Sequence, residues 1–115
     1  MAVSDEFAAF VREQFSALGE VTTRRMFGGM GVYHDGLFFA LIADDTLYLK
    51  VDDNNRAEFE SAGLRPFEPW DGHVMQYYEA PADALENRDE LARWAQGALA
   101  AARAKKKPKR TSKRR

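Results

Sequence analysis

Two turn signals, Asp35-Gly36 and Asp44-Asp45, cut the stretch from Thr23 to Lys50 into apolar runs too short to be helices. Asp-Gly between apolar runs is the strongest short hairpin signal, because the central positions of a type I′ turn need positive φ. Between the turns, Leu37-Phe38-Phe39-Ala40-Leu41-Ile42-Ala43 is apolar on both faces, as a central strand requires. After them, Leu47, Leu49 and Val51 alternate with Tyr48 and Lys50, the pattern of a strand with one solvated face. Upstream, Met26, Val32 and Tyr33 flank the glycine cluster Gly28-Gly29-Met30-Gly31, which reads as the first strand. A three-stranded antiparallel meander is expected.

The same glycines invite a second reading, as a phosphate cradle. Such a loop must lie between a strand and a helix N-terminus whose amides bind the anion. Here the next element is a strand, and no lysine followed by serine or threonine completes a P-loop. The cluster therefore reads as sheet architecture, a bulge or a close approach of backbones.

Around the meander the periodicity is helical. Ser4 can cap a helix whose first turn carries Asp5 and Glu6, with Phe7, Phe10, Val11, Gln14, Phe15 and Leu18 at helical spacing and Gly19 as the stop. Asp52-Asp53-Asn54-Asn55 offers caps for a short helix through Phe59, closed by Gly63 and barred from continuing by Pro66. Strand propensity returns at Val74-Met75-Gln76-Tyr77-Tyr78, with a weaker candidate from Arg65 to Phe67 and a loop at Glu68 to His73. Beyond Pro81, Asp83 or Asn87 can cap a last helix with the stripe Leu91, Trp94, Ala95, Ala98 and Ala102. The expected order is α-β-β-β-α-β-β-α, a two-layer α+β domain with an antiparallel sheet and no βαβ units.

Charge is divided along the chain. All 18 acidic residues lie at or before Glu90, while Arg103, Lys105, Lys106, Lys107, Lys109, Arg110, Lys113, Arg114 and Arg115 hold nine of the 17 basic ones. Residues 1–102 thus carry eight cations against 18 carboxylates, a net of −10, and residues 103–115 carry +9. A segment so charged, with no apolar side chain larger than alanine's, cannot bury enough surface to fold alone. A domain over 1–102 followed by a disordered basic arm over 103–115 is expected. At 115 residues the chain makes about one domain. It lacks a membrane-length apolar run and the basic start of a signal peptide, so a cytoplasmic location is expected. Zero cysteines exclude disulfides, thiolate catalysis and cysteine-ligated zinc.

Side chains that could carry chemistry have local explanations. His34 and Asp35 are adjacent, so a strand would send them to opposite faces, and His73 lies in a different loop. Asp44-Asp45, Asp52-Asp53 and Asp89-Glu90 sit at turns or helix starts, where acidic residues are favoured, and none has the spacing of a calcium loop. No serine lies in a nucleophile elbow. No catalytic residue, metal site or cofactor is expected, and the chain reads as a non-enzyme. Tyr33, Tyr48, Trp70, Tyr77, Tyr78 and Trp94 could include a base-stacking platform, but without the basic-aromatic motif of sheet-based RNA binders they read as packing. Of Arg24-Arg25, one is expected over the sheet or paired with the acidic body. The nine-cation arm is the best functional candidate, because it can displace counterions from nucleic acid. Its alternatives are a solubilising role or folding back on the acidic body.

The run Arg24-Arg25-Met26-Phe27-Gly28-Gly29-Met30-Gly31-Val32-Tyr33, followed by Asp35 to Ile42 and Leu47 to Asp52, resembles the TfoX N-terminal domain family. The likeness continues through Phe59, Gly63, Pro66-Phe67, Met75 to Pro81 and Leu91 to Ala98, covering residues 7–102. It implies a bacterial protein with a secretion-chaperone-like α-β(3)-α-β(2)-α fold. It also implies a link to regulators of competence for DNA uptake, which act as transcriptional coactivators alongside a DNA-binding activator. The family offers no catalytic residues to carry over. Full-length competence regulators have a second, helical domain where this sequence has its basic arm, so a stand-alone form of the domain is expected. Two functions follow as expectations: a regulatory module whose arm contacts nucleic acid, or a protein–protein adaptor whose arm is incidental or autoinhibitory. The partners expected are nucleic acid, a protein of the transcription machinery or an activator, and a second copy of the chain, with no membrane.

Overall fold

Ser4 begins the first helix: its Oγ accepts a hydrogen bond from the Phe7 amide at 3.1 Å, and Asp5 and Glu6 complement the positive end of the helix. Helix α1 covers Asp5–Gln14 and tightens into a 3-10 turn at Phe15–Leu18. Gly19, at φ 111°, ends it. Ala8, Val11 and Phe15 face the core, while Phe10 stays at the surface. The computed structural model describes residues 4–26 and 28–106.

Five antiparallel strands follow, paired in chain order: β1 (Thr22–Met26), β2 (Gly29–His34), β3 (Leu37–Ala43), β4 (Thr46–Lys50) and, after helix α2 (Arg56–Ser61), β5 (Tyr77–Glu79). A short helix α3 (Ala82–Leu85) leads into the long α4 (Arg88–Lys106). The protein is α+β. Both expected hairpins close through residues at positive φ, Asp35 and Gly36 at 52° and 77°, Asp44 and Asp45 at 56° and 53°. Aspartate tolerates this conformation better than most residues do, which is why Asp44-Asp45 serves without a glycine.

The order differs from the one read in the sequence. Four strands, not three, precede α2, because Gly28 adopts φ 77° and folds the glycine cluster into a hairpin between β1 and β2, with Met26 opposite Gly29. One strand, not two, follows α2. Arg65 to Phe67 does lie along β5, with the Phe67 amide donating to the Tyr77 carbonyl at 2.7 Å and the Glu79 amide to the Arg65 carbonyl at 2.9 Å. Pro66 lacks an amide hydrogen, so the pairing stays a single bridge to Tyr78.

Gly29 makes the close approach expected of the cluster. A Cβ there would stand 2.5 Å from the Ile42 carbonyl oxygen, a backbone atom that cannot swing aside. Gly29→Ala is therefore expected to cost about 2–3 kcal/mol by forcing β2 away from β3. A thermal melt checks this; an alanine variant that melts with the parent would contradict the strand register.

A β-bulge decides what β3 buries. Val32 faces Ala40 but Tyr33 faces Phe38, so Phe39 has no partner across the ladder. The extra residue turns Phe39 and Ala40 to the same side, and both are fully buried beneath the helices. On that side Met30, Val32, Ile42, Leu47, Leu49 and Tyr78 complete the sheet's contribution to the core. Leu91, Ala95, Ala98, Leu99 and Ala102 of α4 pack onto it, and the alanines let the helix lie close to β3 and β4. Among the described residues no helix is long and apolar enough to cross a membrane.

Helix α4 runs through Lys106, past the boundary drawn at residue 102 from charge composition. Ala98 to Ala104 is rich in the best helix former, and Ala101 and Ala102 are buried, so Arg103 and Lys105 are carried on the helix rather than on an arm.

Candidate functional site

The basic residues singled out in the sequence divide in two. Arg103 and Lys105 are exposed on the last turns of α4, and Lys106 ends that helix. Lys107, Lys109, Arg110, Lys113, Arg114 and Arg115 lie outside the described residues. The end of α4 forms one wall of an open cleft of about 790 Å³. The opposite walls are the β2–β3 turn at Gly36, the end of β4 with the loop to α2, and Met75 to Tyr77.

Lys50 enters this cleft because strand alternation buries Leu49 under the helices and sends Lys50 to the other side. Its ammonium lies 4.8 Å from the centre of the Tyr77 ring and 3.5 Å from the Tyr77 hydroxyl. Burial, and then the charge of Lys105, hold Lys50 below the usual lysine range, with Asp52 opposing them. Lys50 and Lys105 line the same cleft.

The loop between β4 and α2 that lines the cleft is braced by Asn55, its buried polar residue. It stands at the N-cap position of α2, yet its side chain makes no cap bond. Instead Oδ1 accepts from the Asp52 amide at 2.7 Å and Nδ2 donates to the Lys50 carbonyl at 3.1 Å. Gly97 of α4 leaves room for it, since a Cβ there would come within 3.2 Å of the Asn55 amide. Arg56 spans Asp53 at 2.8 Å and Gln76 at 2.7 Å. Asp52 accepts from the Asn54 amide at 2.9 Å. Both carboxylates lining the cleft are thus engaged.

Tyr77 is buried on the same face, and desolvation, with a smaller contribution from Tyr33, pushes its phenol from 10.0 up to about 12. An unfolded chain would ionise this tyrosine from about pH 10 while the folded chain keeps it neutral, so stability falls as pH rises through that window. Urea midpoints measured from pH 9 upward should fall less steeply for Tyr77→Phe than for the parent. Equal slopes would mean that the ring is solvated.

Of the remaining candidates, His34 and Asp35 meet at their turn while His73 stands in another loop. His34 Nδ1 lies 2.9 Å from the Glu20 carbonyl, which can only accept, so this nitrogen carries the proton. The turn brings Asp35 to 3.6 Å from His34 Nε2. His73 stacks on Trp70 at 4.5 Å, at the tip of a small hairpin in another loop. Among the described residues no three His, Asp or Glu side chains cluster as a metal site would require. Arg25 pairs with Asp5 at 3.2 Å, and Arg24 lies 5.7 Å over the Tyr33 ring, so each takes one of the two placements expected of a single arginine. Tyr33 stacks on Phe38 at 5.1 Å and Phe38 meets Tyr77 at 5.8 Å, so these rings pack on one another. A second, mostly apolar groove of about 410 Å³ lies beside them, with Trp70, 63% exposed, on its rim.

Lys50 and the cleft were not singled out from the sequence. Alternation with Leu49 marked Lys50 only as solvated, and nothing local announces that α4 returns beside it.

The fold and this site define a small α+β module with a cationic cleft at the end of its long helix, continuous with a basic segment. The chain belongs to the TfoX N-terminal domain family, whose model matches residues 13–102. Over 65 residues it is 32% identical to the DNA transformation protein TfoX1 of Aliivibrio fischeri, a match covering 56% of this chain and 29% of that protein. The matched part is thus less than a third of that relative's length.

Proposed function

We propose that this chain is a non-enzymatic regulatory module of the competence-related type, acting in the cytoplasm by binding rather than by chemistry, with its basic C-terminal segment contacting nucleic acid. The observation that carries this reading is the charge division within a member of the TfoX N-terminal domain family: nine cations gathered after residue 102, against a net of −10 before it. Lysine and arginine so concentrated favour a polyanion through counterion release, with little sequence preference. The name of the A. fischeri relative links the family to DNA transformation.

The test compares the full chain with a variant in which all nine are glutamine, by fluorescence anisotropy with a labelled duplex across a salt series. Salt-dependent binding by the parent and its loss in the variant are expected.

A second reading, a protein–protein adaptor, is favoured by Trp70 and Val74, 63% and 52% exposed in the loop bordering the apolar groove. Partners that co-purify after nuclease treatment, persist in the nine-glutamine variant and are lost with Trp70→Ala would support it. Partners indifferent to Trp70 would not.

A further inference from the structure

The cleft at the end of α4 holds two cations that the fold leaves without counter-charge. Among the described residues, Lys50 and Lys105 both line it and neither is ion-paired. The carboxylates that line the cleft already have partners, Asp53 in Arg56 and Asp52 in the Asn54 amide, and neither lies within ion-pair distance of Lys50 or Lys105. Lys50 has the Tyr77 hydroxyl at 3.5 Å, a neutral partner at the limit of hydrogen-bond distance. A half-buried ammonium that shares a cleft with a second ammonium is a costly arrangement, relieved when an anion enters the cleft. Seven positions line the cleft from α4 and the β4–α2 loop within one open volume, so a bulky anion can reach both lysines from solvent.

We propose that this cleft is a phosphate site, in which Lys50 and Lys105 together hold a backbone phosphate of a nucleic acid. The site rests on the reading that the chain binds nucleic acid, and it adds the domain's own surface to that contact. A strand fits better than a free anion because Lys105 stands two residues before Lys107, where the cationic run continues. The contact also fixes orientation, because a phosphate gripped by Lys50 ties the strand to the sheet face that bears Tyr77.

Three measurements on the full chain decide it. With a short labelled duplex, Lys50→Gln and Lys105→Gln should each weaken binding severalfold and reduce the slope of log affinity against log salt by about one unit. Arg88→Gln, whose guanidinium is engaged with Glu13 and Gln14 on another surface, should change neither. Lys105→Arg should retain binding, and thermal melts check that each variant is folded. Wild-type affinity in Lys50→Gln, together with loss of binding in the nine-glutamine variant, would overturn the cleft while leaving the proposed function intact. No binding by the parent would overturn both. Sodium phosphate should displace the duplex no better than sodium chloride of equal ionic strength; selective displacement by phosphate would replace the strand with a small phosphorylated ligand.

Discussion

Phe39→Ala should be among the most destabilising single substitutions in this protein, costing about 3–5 kcal/mol. The ring is fully buried and meets Phe15 edge-on, with centroids 5.1 Å apart and planes at 69°. Its loss leaves a cavity between α1 and the sheet that neither element can close, because β3 is paired on both sides. A domain of this size has only about 5–15 kcal/mol of stability, so the variant should melt roughly 12–20 °C below the parent. Phe10→Ala provides the contrast. That ring is 37% exposed and makes its aromatic contact with Phe7 at 6.1 Å, so its removal should cost under about 1 kcal/mol. The comparison also tests the bulge. In an unbroken strand Phe39 and Ala40 would point to opposite faces, so a mild Phe39→Ala effect would mean that the ring lies on the open face.

The turns were legible and the bulge was not, for one physical reason. A turn is a local demand on φ, and Asp35-Gly36 and Asp44-Asp45 announce it through residues that tolerate left-handed backbone. The bulge answers a distant demand, the need to fill space beside Phe15, and Leu37 to Ala43 is apolar at every position, so its alternation carries no record of which residue is extra. The glycine cluster lies between these cases. Gly28-Gly29 is itself a hairpin signal, and reading it as one strand hid a turn that only positive φ at Gly28 discloses.

For the candidate site, the legible part was again the part that one segment encodes. Nine cations after residue 102 are visible in composition alone. The cleft needs tertiary structure: Lys50 on β4 and Lys105 on α4 are brought together by an alanine-rich helix lying across the sheet. Helix α4 continues past residue 102 to Lys106, because lysine and arginine are good helix formers and the buried Ala101 and Ala102 draw the helix onward. Lys105 is thereby carried on the helical wall of the cleft.

Replacing all nine C-terminal cations with glutamine should abolish nucleic-acid binding, the largest functional effect expected from any change here. The ceiling follows from counterion release. Nine phosphate contacts on duplex DNA would give a salt slope near −8, and affinity would then fall by up to about 10⁵ between 50 and 200 mM salt. Fewer simultaneous contacts bring the slope down in proportion, so about five would still give a fall of several hundredfold. The nine-glutamine chain keeps eight cations against 18 carboxylates, and a body at −10 repels a polyanion, so no residual attraction should remain at low salt. Folding should survive: seven of the nine lie beyond Lys105, and the core face of α4 is formed by Leu91 through Ala102. Duplex binding that persists in this variant, or a parent whose affinity is flat across the salt series, would remove the basic segment from the function of the protein.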